Sequence, residues 1–70
     1  MTLKDFIKLV FRGEILSVYE PKTNTYLARE IYIDDYNGEY DGYRVIGINI
    51  SSTDSGYNPV LEIDVEDVEI

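Results

Sequence analysis

The sequence predicts one α+β domain, residues 1–70, in which an N-terminal helix packs on a four-stranded antiparallel β-sheet. Three observations predict this fold: an amphipathic helical pattern near the start, four short strand-like segments after it, and turn residues between those segments. Seventy residues, 44% of them apolar, suffice for a single modest core. We therefore expect one small domain with no second unit.

The helix is predicted over residues 3–12. Apolar residues recur there at three- and four-residue spacing, which gives the single stripe of an amphipathic helix. Thr2 precedes this stripe, and Asp5 follows Thr2 by three residues, which is the spacing of a capping box. Gly13 is suited to the left-handed conformation that ends many helices.

Strands are predicted over residues 14–20, 25–33, 43–50 and 60–66, because β-branched, aliphatic and aromatic residues dominate these segments. Pro21 favours a turn between the first two strands, and the pair Asn37-Gly38 is typical of a tight hairpin between the second and third. Alternation gives the sheet one apolar face for the helix, and Ile46, Ile48 and Ile50 of the third strand are expected on it. The other face is expected to carry carboxylates and three tyrosines, Tyr26, Tyr32 and Tyr43.

The charge of the chain is strongly uneven. Fourteen acidic side chains against six basic ones give a formal charge of −8. Residues 1–33 carry a net charge of +1, whereas residues 34–70 carry −9. This surplus argues against direct binding to nucleic acid or to an anionic membrane, and it favours a basic protein surface as the partner.

The chain contains neither cysteine nor histidine. Disulfides, thiolate nucleophiles, Cys/His zinc sites and Ser-His triads are therefore excluded within it. No stretch approaches the roughly 18 apolar residues of a membrane span, and the first residues lack the pattern of a signal peptide. We expect a cytoplasmic protein that uses no cofactor.

Four segments carry a resemblance to other proteins: Thr2-Leu3-Lys4-Asp5-Phe6-Ile7, residues 15–27, Val45-Ile46-Gly47-Ile48 and Val60-Leu61-Glu62-Ile63. Their pattern resembles that of short, acidic, uncharacterised proteins of Gram-positive bacteria and their phages. The resemblance implies a small α+β fold and a bacterial or mobile-element origin. It supplies no catalytic or binding residues.

A cation site is the first of three candidate functions. Asp35, Asn37, Glu39 and Asp41 alternate along the chain, as oxygen ligands do in a calcium loop. The match then fails, because Ile48 stands where the loop needs a bidentate Glu. A solvated acidic hairpin is the simpler interpretation, and we assign no metal ligand.

Catalysis by paired carboxylates is the second candidate. Asp34 and Asp35 are neighbours, and Glu62 and Asp64 would point to the same face of a strand. Nothing in the sequence indicates a pocket around either pair, and carboxylates on an exposed strand are usually solvated. We therefore predict that the protein is not an enzyme and assign no catalytic residue.

A recognition surface is the third candidate and the one that we adopt. The chain has seven tyrosines, and several of them interleave with carboxylates between residues 34 and 43. Tyrosine is enriched in interface cores, and carboxylates beside it would meet Lys and Arg of a basic partner. The predicted partner-binding residues form one patch and its extension along the last strand: Asp34, Asp35, Glu39, Tyr40 and Asp41, then Glu62, Asp64, Glu66, Asp67 and Glu69.

The predicted function is that of an inhibitor or DNA-mimic decoy of a basic nucleic-acid-handling protein such as a nuclease, of the anti-restriction or anti-CRISPR type. A solvated acidic surface is the simpler explanation of the same charges. The alternative function is a small self-associating structural or assembly module. In that case the long terminal strand would offer an exposed edge for strand addition or for a homodimer.

Overall fold

A computed structural model describes residues 1–10, 13–53, 56 and 58–67 of the chain. In this part of the chain the helix α1 (Leu3–Ile7) precedes the strands β1 (Ile15–Glu20) and β2 (Thr25–Tyr32). A 3₁₀ helix (Ile33–Asp35), β3 (Arg44–Ser52) and β4 (Pro59–Glu66) follow. The predicted α+β class with a helix and a four-stranded sheet is confirmed, and the strands begin and end within two residues of the predicted positions.

The sheet is mixed, with the strand order β2-β1-β4-β3. β1 pairs with β2, and β3 with β4, in antiparallel ladders, whereas the two central strands β1 and β4 are parallel. The prediction of an antiparallel sheet is therefore wrong. The terminal strand β4 is also central, so the exposed edge that was expected on it belongs instead to β2 and β3. Alternation shows which side chains share a face, but it does not reveal the order or direction of neighbouring strands.

The crossover segment, residues 33–43, connects the two edge strands. β2 ends where β1 begins, because Tyr32 pairs with Ile15. β3 begins where β4 ends, because Arg44 pairs with Glu66. The crossover segment must therefore pass from one edge and one end of the sheet to the opposite edge and end, across one face.

The pair Asn37-Gly38 lies inside the crossover segment and does not form the predicted hairpin. Gly38 has a φ of +87°, and the Asp41 N–H donates to the Gly38 carbonyl over 3.2 Å, so the chain does turn here. The turn joins no pair of strands. A path across the sheet lets Tyr36 and Tyr40 pack against the core, and a solvated hairpin would leave their rings in water.

The core lies between one face of the sheet, α1 and the crossover segment. Its centre consists of five side chains with no solvent exposure: Leu3, Leu16, Val18, Ile63 and Val65. The central strands supply four of these five, and Val18 pairs directly with Ile63. Tyr43 packs against this centre and so lies on the core side of the sheet, opposite to the face predicted for it, because it belongs to the crossover segment.

The helix is shorter than the predicted range. The Thr2 hydroxyl accepts a 3.3 Å hydrogen bond from the backbone N–H of Asp5, as the capping pattern predicts. The following turn tightens into hydrogen bonds between residues three apart, the first from the Leu9 N–H to the Phe6 carbonyl over 2.9 Å. Residues 11–12 of the predicted helix lie outside the described residues.

β2 is irregular, because its pairing with β1 shifts register twice. At one shift Glu30 adopts a left-handed φ of +50°, and its backbone N–H donates to the buried Ser17 hydroxyl over 2.9 Å. Leu27 and Ala28 both pack on the core side, although they are neighbours in a strand. Bulges of this kind change the faces that strict alternation assigns.

Replacing Ile63 by Val tests the position of the core. The change removes one methylene from a side chain with no solvent exposure, so we expect the free energy of unfolding to fall by about 1 kcal/mol. The matched control is Ile50→Val, at a side chain that is 69% exposed in the single chain, where we expect a change below about 0.5 kcal/mol for dilute, monomeric protein. Urea denaturation measures both, and equal losses at the two positions would contradict this assignment of the core.

Candidate functional site

Three exposed carboxylates lie in the first part of the crossover segment: Asp34, Asp35 and Glu39. The first two belong to the 3₁₀ helix, and Glu39 lies in the turn that follows. None of the three forms an ion pair with a basic side chain that the structure describes. Their negative charges therefore face solvent.

Partly buried tyrosines hold the crossover segment against the core. The Tyr36 hydroxyl donates to Asp41 Oδ1 over 2.9 Å and accepts a hydrogen bond from the Tyr40 N–H over 3.0 Å. The rings of Tyr40 and Tyr43 meet edge to face, with centroids 5.7 Å apart. The exposed carboxylates consequently stand on a backbone that is fixed by ring packing and by internal hydrogen bonds.

Tyr40 and Asp41 were also predicted to contact a partner, and the structure shows both of them in structural contacts. The Tyr40 ring is partly buried and packs against the core. The Asp41 carbonyl accepts the Lys4 N–H over 3.2 Å, and its carboxylate accepts the Tyr36 hydroxyl, so Asp41 ties the crossover segment to α1. The exposed carboxylates of the predicted patch are the three named above.

The predicted extension along β4 lies on the opposite face of the sheet. Glu62 and Asp64 alternate with the buried Ile63 and Val65, so they point away from the crossover segment. The Tyr26 hydroxyl approaches Glu62 Oε2 at 3.4 Å on that same face. The sheet therefore separates the two groups of carboxylates, and they do not form one continuous patch.

Asp64 is partly enclosed within this second face. The Asn49 amide donates to Asp64 Oδ2 over 3.3 Å, and Asp64 Oδ1 is buried with no hydrogen-bond partner among the described residues. Gly47 lies opposite on β3, where a Cβ atom would stand 3.4 Å from Oδ2. A Cβ atom at this position would therefore stand in ordinary van der Waals contact with the Asp64 carboxylate.

The remaining predicted residues lie at the end of β4. Glu66 forms an ion pair with Arg44 across the β3–β4 ladder, which offsets its charge within the fold. Asp67 is exposed directly after the strand. Glu69 lies outside the described residues.

A polar hollow of about 100 Å³ opens on the face that carries Glu62. The buried Ser17 and Val60 are among the residues that line it. Tyr26 and Arg29 also line it, and the Arg29 guanidinium lies 5.4 Å from the centre of the Tyr26 ring. This face is thus a mixed polar and aromatic surface, and its acidic character is weaker than that of the crossover segment.

The alternating oxygens of the crossover segment are partly used inside it. The Asn37 side-chain oxygen accepts the Glu39 N–H over 3.0 Å, and Asp41 accepts the Tyr36 hydroxyl. Within the described residues there is no group of three or more acidic side chains arranged to hold a metal ion.

Comparison with protein-family models, curated proteins and solved structures finds no match to this chain. The resemblance to short acidic proteins of Gram-positive bacteria and their phages stays a prediction. Across the part of the chain that the structure describes, no helix is long and apolar enough to cross a membrane.

The outer edge of β3 is a surface that the residue pattern did not predict. Ile46, Ile48 and Ile50 were expected to face the helix, yet all three are exposed. One signal could have identified this edge. Residues 45–52 contain no charged side chain in a chain whose formal charge is −8.

Replacing Tyr36 by Phe tests how firmly the crossover segment is held. The Asp41 carboxylate loses a donor and the Tyr40 N–H loses an acceptor, so we expect the free energy of unfolding at pH 7 to fall by about 1–3 kcal/mol. The matched control is Tyr32→Phe at an exposed ring, which we expect to change it by less than about 0.5 kcal/mol.

Tyr36→Phe also changes how the free energy of unfolding depends on pH in the alkaline range. Burial, and then the hydrogen bond to Asp41, raise the pKa of Tyr36 above its ordinary value. The unfolded chain therefore loses this proton near pH 10 while the folded chain keeps it, so the free energy of unfolding falls as pH rises through that range. We expect a smaller fall between about pH 9 and 11 in Tyr36→Phe than in the wild type, measured by urea denaturation. Identical pH profiles would contradict the raised pKa.

Proposed function

We propose that this protein is a non-enzymatic acidic binding module that docks a basic protein surface through the crossover segment. The observation that carries the proposal is the set of exposed carboxylates Asp34, Asp35 and Glu39 on a segment held by Tyr36 and Tyr40. Lys and Arg side chains of a partner are the natural counterparts of such a set.

The crossover segment has a fixed conformation in the absence of a partner, and this favours binding. A loop that is already ordered loses little conformational entropy when a partner docks, so more of the contact energy remains as affinity. Tyr36 and Tyr40 supply this order from the core side, and the carboxylates are left on the solvent side. Three like charges in six residues also raise the rate of encounter with a basic surface.

The specific form that we propose is an inhibitor or DNA-mimic decoy of a nucleic-acid-handling protein, of the anti-restriction or anti-CRISPR type. A channel that binds phosphates attracts any compact anionic body, and an acidic protein in that channel excludes nucleic acid without chemistry of its own. The net charge of −9 over residues 34–70 supports this form. Glu62 and Asp67 carry negative charge beyond the crossover segment.

Neutralising the crossover carboxylates is the direct test. The triple variant Asp34→Asn, Asp35→Asn and Glu39→Gln removes three exposed charges, each worth about 0.5 kcal/mol in a surface ion pair, so affinity for a basic partner should fall about tenfold. The matched control removes three charges from the other half of the chain: Asp5→Asn, Glu14→Gln and Glu20→Gln. This control should keep most of the affinity.

The measurement starts with wild type, triple variant and control immobilised in parallel and exposed to a lysate of the host cell. The wild type and the control should retain a basic nucleic-acid-binding protein at low salt and release it at high salt. The captured protein is then purified and bound to fluorescent duplex DNA. The wild type should displace this DNA, and the triple variant should need a concentration about tenfold higher to displace it. Equal displacement by both chains would contradict the docking role of the crossover segment.

A further inference from the structure

Among the residues that the structure describes, the outer edge of β3 is covered only where the strand begins. The Val45 N–H donates to the Met1 carbonyl over 2.9 Å, and the Leu3 N–H donates to the Tyr43 carbonyl over 2.8 Å. The first residues of the chain thus lie antiparallel beside the start of β3. From residue 46 to residue 52, no strand within the described part of the chain lies along this outer side.

The hydrogen bonds of the β3–β4 ladder show which backbone groups point outward. The Thr53 N–H donates to the Asn58 carbonyl over 2.9 Å, so Thr53 directs its backbone groups towards β4. Residues alternate in this respect along an antiparallel strand, so Ser51 and Asn49 also bond to β4. The residues between them direct their N–H and C=O groups outward: Ile48, Ile50 and Ser52. Such a row is a template for another strand.

The two edges of the sheet differ in how well they are protected against pairing with another strand. The β2 edge is interrupted by two register shifts and carries Arg29 and Glu30. β3 has one register shift, close to its start, and no charged side chain over residues 45–52. Bulges and charges are the usual means by which proteins prevent edge pairing, and from Gly47 to Ser52 the β3 edge has neither.

The same part of β3 exposes large apolar side chains. Ile48 is 47% and Ile50 is 69% exposed, although both lie on the core side through their pairing with Ile63 and Leu61. α1 is only five residues long and leaves them uncovered. Leu61 continues this apolar surface into a hollow of about 250 Å³ that is also lined by Phe6, Leu9 and Val10.

We propose that this edge is the interface of a homodimer in which the β3 strands of two copies pair antiparallel about a two-fold axis near Asn49. Asn49 is the midpoint of the uncovered run 46–52. The two-fold axis sets Ile48 of each copy opposite Ile50 of the other copy. Pairing shifted towards Arg44 would collide with the residues that already cover the start of β3.

A second copy suits this edge better than a basic partner does. The edge is uncharged, so it offers no carboxylate to a Lys or Arg side chain, and a two-fold interface needs a surface that complements itself. The edge meets that need, because its outward backbone groups pair with an identical antiparallel row and its isoleucines meet isoleucines.

Charge repulsion between two acidic copies is limited by distance. Glu62 pairs with Asn49 and therefore stands one strand in from the edge. In the dimer the two Glu62 side chains would lie three strand spacings apart, about 14 Å. The screening length is about 8 Å at physiological ionic strength and about 30 Å at 0.01 M salt. The dimer should therefore form at physiological salt and weaken at low salt.

Sedimentation equilibrium over a range of protein concentrations, at about 0.01 M and 0.15 M salt, tests the proposal. We expect a monomer–dimer equilibrium whose dissociation constant falls about tenfold or more at the higher salt. Ile50→Lys should weaken the dimer at least about tenfold, although it lowers the net negative charge. Tyr32→Lys makes the same change of charge at the exposed ring on β2 and should leave the dimer intact.

Amide hydrogen exchange of the wild type decides the question even if Ile50→Lys fails to fold. The outward N–H groups of Ile48, Ile50 and Ser52 should exchange more slowly as protein concentration rises. A monomer at every concentration and salt, or a dimer in which these amides exchange at a constant rate, would overturn the proposal. Docking of a basic partner weakens with salt, whereas this dimer strengthens, so the two proposals can fail separately.

Discussion

Parallel pairing of β1 with β4 constrains the path of the rest of the chain. It places β2 and β3 at opposite edges, so the crossover segment has to traverse one face of the sheet. That traverse brings Tyr36, Tyr40 and Tyr43 against the core and supplies much of the cover that the short α1 does not. The packing of these rings, in turn, fixes where the neighbouring carboxylates stand.

The sequence allowed local structure to be predicted better than topology. The Thr2 cap, the strand segments and the turn after Pro21 depend on interactions between residues close in sequence, so the local pattern of residues predicts them. The order of strands depends on which distant segments bury the most apolar surface, and alternation is the same for parallel and antiparallel neighbours. The spacing of Tyr36, Tyr40 and Tyr43 predicts a binding surface, but it also lets three rings pack against the core.

The candidate site was partly predictable for the same reason. Asp34, Asp35 and Glu39 are exposed as expected, because a polar run between strands is solvated wherever it runs. Placement of Glu62 and Asp64 depended on which face the crossover segment would cover, which local pattern does not determine. The exposure of the β3 edge depends on the length of α1 and on the order of the strands, and the local pattern determines neither. The crossover segment therefore presents an acidic surface, and the outer edge of β3 presents an uncharged one.

The packing of Tyr36 and Tyr40 holds the acidic carboxylates in place before any partner binds. Backbone ¹⁵N relaxation measures this most directly, because it reports the order of each N–H group on the picosecond to nanosecond timescale. We expect order parameters for residues 34–41 close to those of the central strands, about 0.85. Values below about 0.6 across these residues would show a flexible acidic loop, and the carboxylates would then not be held in place.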